Sequence, residues 1–142
     1  MSREIKFRGQ TRRKGELIIN MAGDKCEANW VYGGIFPQNS GGDFAIIYEQ
    51  TSCEKRVVYA DTVGQYIGVD DKNGKEIYED DIVLSDDGKV GQVQWFEEHL
   101  AFMIWCVTDN KVYFAYDNDF SNIEVIGNVY ENADLLKEAE DE

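Results

Sequence analysis

Gln65-Tyr66-Ile67-Gly68-Val69-Asp70-Asp71-Lys72-Asn73-Gly74-Lys75-Glu76-Ile77-Tyr78-Glu79-Asp80-Asp81-Ile82-Val83 decides the fold of this 142-residue chain. Asn73-Gly74 sits between two apolar runs, the strongest short hairpin signal, because both residues tolerate positive φ. The pattern recurs downstream. Ile82-Val83-Leu84 and residues 90–96 flank Asp86-Asp87-Gly88, a second hairpin. Residues 102–107 and 112–116 flank Thr108-Asp109-Asn110, a third, where Asn110 can supply a left-handed turn residue. Residues 123–130 read as a last strand. Asn132 then reads as the N-cap of a short helix carrying Asp134 in its first turn and Leu135-Leu136 beyond. Residues 62–130 are thus expected to form a meander of five or six strands, long enough to close into a small barrel and hide its edges.

Upstream, residues 1–61 are expected to form an antiparallel β lobe with no clean boundary to the meander, so that the chain makes one compact unit. Glu4-Ile5-Lys6-Phe7-Arg8 alternates strictly, which turns Ile5 and Phe7 to a core and Lys6 and Arg8 to solvent. Arg12-Arg13-Lys14-Gly15 reads as a turn and Leu17-Ile18-Ile19 as the return strand. Trp30-Val31-Tyr32 is a strand ended by Gly33-Gly34, and residues 44–48 and 56–59 are further strands. Residues 131–142 make the short helix and an acidic tail.

Composition supports a packed domain. Hydrophobic residues make up 43% of the chain, with 3 Trp, 8 Tyr and 7 Phe, which argues against disorder despite a net charge of −14. That charge is uneven. Residues 3–14 hold six basic side chains against Glu4, a local +5, which leaves −19 for the remainder. A phosphate backbone is repelled by most of such a surface and attracted only by the strip of Arg8, Arg12, Arg13 and Lys14. Phe7 alternates away from the charges beside it, so the strip lacks the shared ring-and-charge surface of a stacking platform. No run of about 18 apolar residues occurs, so no membrane partner is expected. The charged N-terminal stretch lacks a secretory leader's apolar run. Cys26, Cys53 and Cys106 are an odd, scattered set, expected as reduced thiols in a cytoplasm.

Residues that carry catalysis are scarce. His99 is the lone histidine, placed in the loop Glu97-Glu98-His99-Leu100. It and the three cysteines show no zinc-ligand pairing, and Cys106 reads as a small core residue. Carboxylate neighbours such as Asp70-Asp71, Asp80-Asp81 and Asp86-Asp87 point to opposite faces of a strand and make no acid/base dyad. Aligning Gly74 with the glycine of a calcium loop puts Val69 at the first ligand position, which rejects that loop. No phosphate-cradling glycine motif occurs. No metal, cofactor or catalytic residue is therefore expected.

Five segments in order, Lys6-Phe7-Arg8-Gly9, Trp30-Val31-Tyr32-Gly33, Thr62 through Gly68, Asp71 through Glu79 with Asp81-Ile82-Val83, and Ile126-Gly127-Asn128-Val129-Tyr130-Glu131-Asn132, resemble the YopX family of bacteriophage and prophage proteins. The resemblance spans about residues 5–136. It implies a mainly β fold, with an antiparallel N-terminal lobe, a small, partly open SH3-like barrel in the second half and a short C-terminal helix. It implies the cytoplasm of a bacterial host, and brings no known activity and no catalytic residues. Gln65, Tyr66, Gly68, Asp71, Asn73, Gly74, Tyr78 and Asp81 of the matched block read as structural. Two departures stand out. Asp80 occupies a position where the family usually has glycine; if positive φ is needed there, Asp is among the less costly replacements. Ala133 follows Asn132 where the family often has proline.

The expected role is a non-enzymatic module that binds a protein partner or itself, with Trp30, Trp95 and Trp105 as candidate anchors. The alternatives are nucleic-acid association through the basic strip, or an acidic surface that mimics DNA.

Overall fold

The computed structural model describes residues 4–11, 30–36, 42–114 and 122–140. Eleven strands and one helix appear among them: β1 Phe7–Gln10, β2 Trp30–Ile35, β3 Phe44–Glu49, β4 Lys55–Tyr59, β5 Gly64–Asp70, β6 Glu76–Tyr78, β7 Asp81–Leu84, β8 Val90–Phe96, β9 Ala101–Cys106, β10 Lys111–Tyr113, β11 Glu124–Asn128 and α1 Ala133–Glu140. A single 3-10 turn, Ala60–Thr62, follows β4. The fold is mainly antiparallel β, as the alternation and turn residues require. The chain divides into two compact units, 1–66 and 67–142, within β5.

In the first unit β4, β3, β2, β1 and the start of β5 lie side by side. Val31, Ala45, Ile47 and Val58 form the core, with Phe7, Ala60 and Val63 packed on it. Two expectations for β1 invert. Ile5 is 65% exposed, because the strand begins only at Phe7. Arg8 is buried, its guanidinium 4.5 Å from the Trp30 ring centroid. The Trp30 ring on neighbouring β2 covers the Arg8 guanidinium, so a side chain on the face opposite the aliphatic core is shielded all the same. Nor do Gly33-Gly34 end a strand; β2 runs through them to Ile35.

In the second unit five strands run in the order β10-β9-β8-β7-β11. Ile77, Val83, Val93, Ile104, Cys106, Tyr113 and Ile123 form its core, with Ile67, Val69 and Val125 against them. The expected SH3-like barrel does not close: among the described residues β10 and β11 are the two open edges of this sheet. A register shift between Val125 and Gly127 bends the β11 edge. No helix among the described residues is long and apolar enough to cross a membrane.

The hairpin over Asn73-Gly74 is present, with a different turn from the one expected. Only Gly74 takes positive φ, at +81°, and its N–H donates to the Asp71 carbonyl at 3.0 Å. The turn is therefore a tight loop closed by a left-handed glycine. Ser85-Asp86-Asp87-Gly88 repeats the construction, with Gly88 at φ +92° donating to the Ser85 carbonyl at 3.1 Å. Asn110 adopts φ +60°, as its place in the third hairpin requires, and Asp80 adopts φ +70°. The Asp80 carboxylate accepts from the Tyr130 hydroxyl at 2.8 Å and from the Gln92 amide at 3.1 Å. Those contacts compensate for the non-glycine backbone. The helix start also departs from expectation. Asn132 accepts the Leu135 N–H through its backbone carbonyl, while its side chain turns back to accept the Asn128 N–H at 3.1 Å. That side chain lies where a Cβ on Gly127 would stand, 2.5 Å from its Oδ1, which accounts for glycine at position 127.

Candidate functional site

The matched block is built as scaffolding. Asp71 is buried, and each carboxylate oxygen is used. Oδ1 accepts the N–H groups of Asn73 at 2.9 Å and Lys75 at 2.8 Å, and Oδ2 accepts that of Val125 at 2.9 Å. Burial alone would raise its pKa. The hydrogen bonds from Val125, Lys75 and Asn73, aided by the Lys75 charge, outweigh burial and hold it below the ordinary carboxylate range. Asp71 thus ties the β5–β6 hairpin to β11. Asp81 Oδ2 accepts the Tyr78 N–H at 2.8 Å, and both residues are buried. The Tyr78 hydroxyl donates to Glu76 at 3.1 Å, and the Asn73 amide reaches Glu124 at 3.4 Å. Gln65 pairs with Phe7, Tyr66 N–H donates to the Lys6 carbonyl at 2.8 Å, and Gly68 supplies φ +96° inside β5.

Among the described residues no three His, Cys, Asp or Glu side chains gather as metal ligands would. Cys53 is exposed and Cys106 buried, both as free thiols. Burial pushes the Cys106 thiol up, away from reactivity. Cys26 and the basic residues Arg12, Arg13 and Lys14 lie outside the described residues. Arg8, the remaining member of the basic strip, faces Trp30 rather than solvent.

Among the described residues most exposed apolar side chains fall on two surfaces, one in each unit. In the first unit, strand register puts Tyr32, Phe44, Ile46, Tyr48, Val57 and Tyr59 on the sheet face opposite Val31, Ala45, Ile47 and Val58. Rings pair across it: Phe44 with Tyr59 at 5.2 Å and Phe36 with Tyr48 at 5.7 Å, with the Lys55 ammonium 5.0 Å from the Phe36 ring.

In the second unit the β8–β9 hairpin carries the other surface. Trp95 is 46% exposed and meets Phe102 edge-on at 5.0 Å, opposite it in register. His99 meets Phe114 edge-on at 6.4 Å, and Phe114 is itself exposed. Leu100 closes the turn by donating to the Glu97 carbonyl at 3.3 Å. It does so at φ +50° with 78% of its surface in water. Trp30 and Trp105 are half-buried, so of the three tryptophans only Trp95 is exposed. Sequence reasoning passed over Leu100, Phe114, Phe44, Tyr48 and Val57. The signal for Leu100 was present: a large apolar residue at a hairpin tip, where the other tips carry Gly74, Gly88 and Asn110.

A family model described as YopX protein matches residues 22–137. No curated protein matches the chain.

Proposed function

Because the chain belongs to the YopX family, we propose that it works as a non-enzymatic protein-interaction module in the cytoplasm of a bacterial host. Leu100 carries this reading. A leucine in the left-handed region costs roughly 1 kcal/mol or more relative to glycine or asparagine. It is exposed, so it gives no core packing in return. A residue that costs stability at the tip of the hairpin that carries an exposed tryptophan, and adds apolar surface there, is better explained by binding than by folding. Trp95 supplies the large rigid anchor that concentrates binding energy.

Leu100→Asn tests this by separating stability from binding. Asparagine tolerates positive φ, so the variant is expected to unfold at higher urea, gaining about 1 kcal/mol. The same variant, and Trp95→Ala, are expected to lose proteins that the tagged full-length chain retains from phage-infected or lysogenic cells. If both variants capture the same proteins in the same yield as the parent, this surface is not the binding site.

A further inference from the structure

We propose that two copies of this chain associate through β4, running antiparallel with Val57 of one copy opposite Val57 of the other. This strand and Trp95 belong to different units, so the two readings stand or fall independently.

Among the described residues β4 ends its sheet, with β3 on one side. Along an antiparallel strand the backbone groups of successive residues point to alternate edges. Ala60 N–H donates to the Asp43 carbonyl at 2.9 Å, and the Glu54 carbonyl accepts from Glu49 N–H at 2.8 Å. Even-numbered residues therefore face β3, and Lys55 and Val57 direct their N–H and C=O groups to the open edge. Natural edges are blunted by short length, proline, bulges or charges, lysine above all; on β4 the charges, Lys55 and Arg56, are confined to one end. β4 has no proline, its register with β3 is unbroken over five pairs, and Val57 at its centre is 58% exposed.

Charge selects both the occupant and the register. Arg56 at the start of β4 is ion-paired within its own copy, 2.8 Å from Glu54 and 3.8 Å from Glu49, so Lys55 is the cation that β4 offers across the edge. The end of β4 adjoins a pocket of about 330 Å³ lined by Gly42, Asp43, Phe44, Tyr59, Ala60 and Asp61. Pairing centred on Val57 sets Lys55 opposite the other copy's Tyr59 and Arg56 opposite its Val58. Each Lys55 then reaches the paired rings of Phe44 and Tyr59 with Asp43 and Asp61 beside them. In one copy alone its ammonium lies over Phe36 and Tyr48; across the pair it meets rings and carboxylates together. Pairing centred on Arg56 would set the two guanidinium groups against each other, and a one-residue slip would mismatch the open backbone groups.

Sedimentation equilibrium of the full chain, with amide exchange followed by NMR at low and high protein concentration, tests the proposal. A monomer–dimer equilibrium is expected, with Lys55 and Val57 amides gaining protection as dimer forms while Arg56 and Val58 amides, already bonded to β3, do not change. Val57→Lys and Asp61→Lys are each expected to raise the dimer dissociation constant about tenfold or more, and adding Lys55→Glu to Asp61→Lys to restore it. A chain that stays monomeric at every concentration overturns the proposal. So does a dimer that leaves the Lys55 and Val57 amides unprotected or is indifferent to both lysine substitutions. Capture of proteins through Trp95 is expected to survive Val57→Lys.

Discussion

Gly33→Ala is expected to destabilise the first unit by about 3 kcal/mol, enough to remove much of a small domain's stability. A Cβ at Gly33 would stand 1.7 Å from the Tyr48 carbonyl oxygen and 2.8 Å from its carbon. Both atoms belong to the β3 backbone, so no rotamer change relieves the overlap. The strand itself must move, and the pairing of Gly33 with Glu49, Gly34 with Tyr48 and Ile35 with Ile47 moves with it. Gly33 has no positive φ, so the cost is one of space. Gly34 is the matched control. A Cβ there meets nothing within 4 Å, and Gly34→Ala is expected to fall within about 1 kcal/mol of the parent. Urea unfolding of the two variants decides the matter. Equal midpoints would refute the close approach of β2 to β3.

The second large effect falls in the other unit. Asp71→Asn keeps the size of the side chain but turns an amide N–H₂ towards a backbone donor that the carboxylate accepts. At least one of the three bonds to Asn73, Lys75 and Val125 is lost, and a buried donor faces another. The expected cost is about 3 kcal/mol at neutral pH. Its pH dependence has a definite sign. Asp71 has a lower pKa folded than unfolded, so the folded state binds fewer protons near that range. The stabilisation is complete above about pH 4, the ordinary aspartate value, and fades as pH falls through the lowered folded value. The gap between parent and variant should therefore be full at pH 7 and narrower near pH 3. A gap of constant size across that range would mean that packing, not the carboxylate's charge, carries the effect.

Both positions lie in segments that carry the family resemblance, and they differ in how far the sequence explains them. Asn73-Gly74 announces a hairpin because few other pairs close one, and the hairpin is there. Asp80 could be weighed for positive φ through the family resemblance alone, and its φ is +70°. Gly33-Gly34 misleads for a different reason. Glycine marks a turn when the backbone needs its freedom and a close crossing when a neighbour needs its space, and the letters are the same in both cases. The candidate surface was legible only in part. Trp95 could be named as one of three tryptophans, but the exposure that separates it from Trp30 and Trp105 depends on strands distant in sequence.

Local chemistry thus determined the strand-rich composition, the hairpin positions, the short C-terminal helix and the family. These features depend on side-chain alternation and turn residues within a few positions of each other. Tertiary structure decided which residues lie inside. The Ile5 to Arg8 alternation predicts two faces, but the Trp30 ring of β2 covers Arg8, while Ile5, before the strand begins, stays in water. Sheet closure is non-local in the same way: whether β10 and β11 meet depends on strand twist and the bulge at Val125, and among the described residues they remain edges. The open edge of β4 and the exposed tip at Leu100 arise from the same cause, since exposure belongs to the packed arrangement and not to any residue in it.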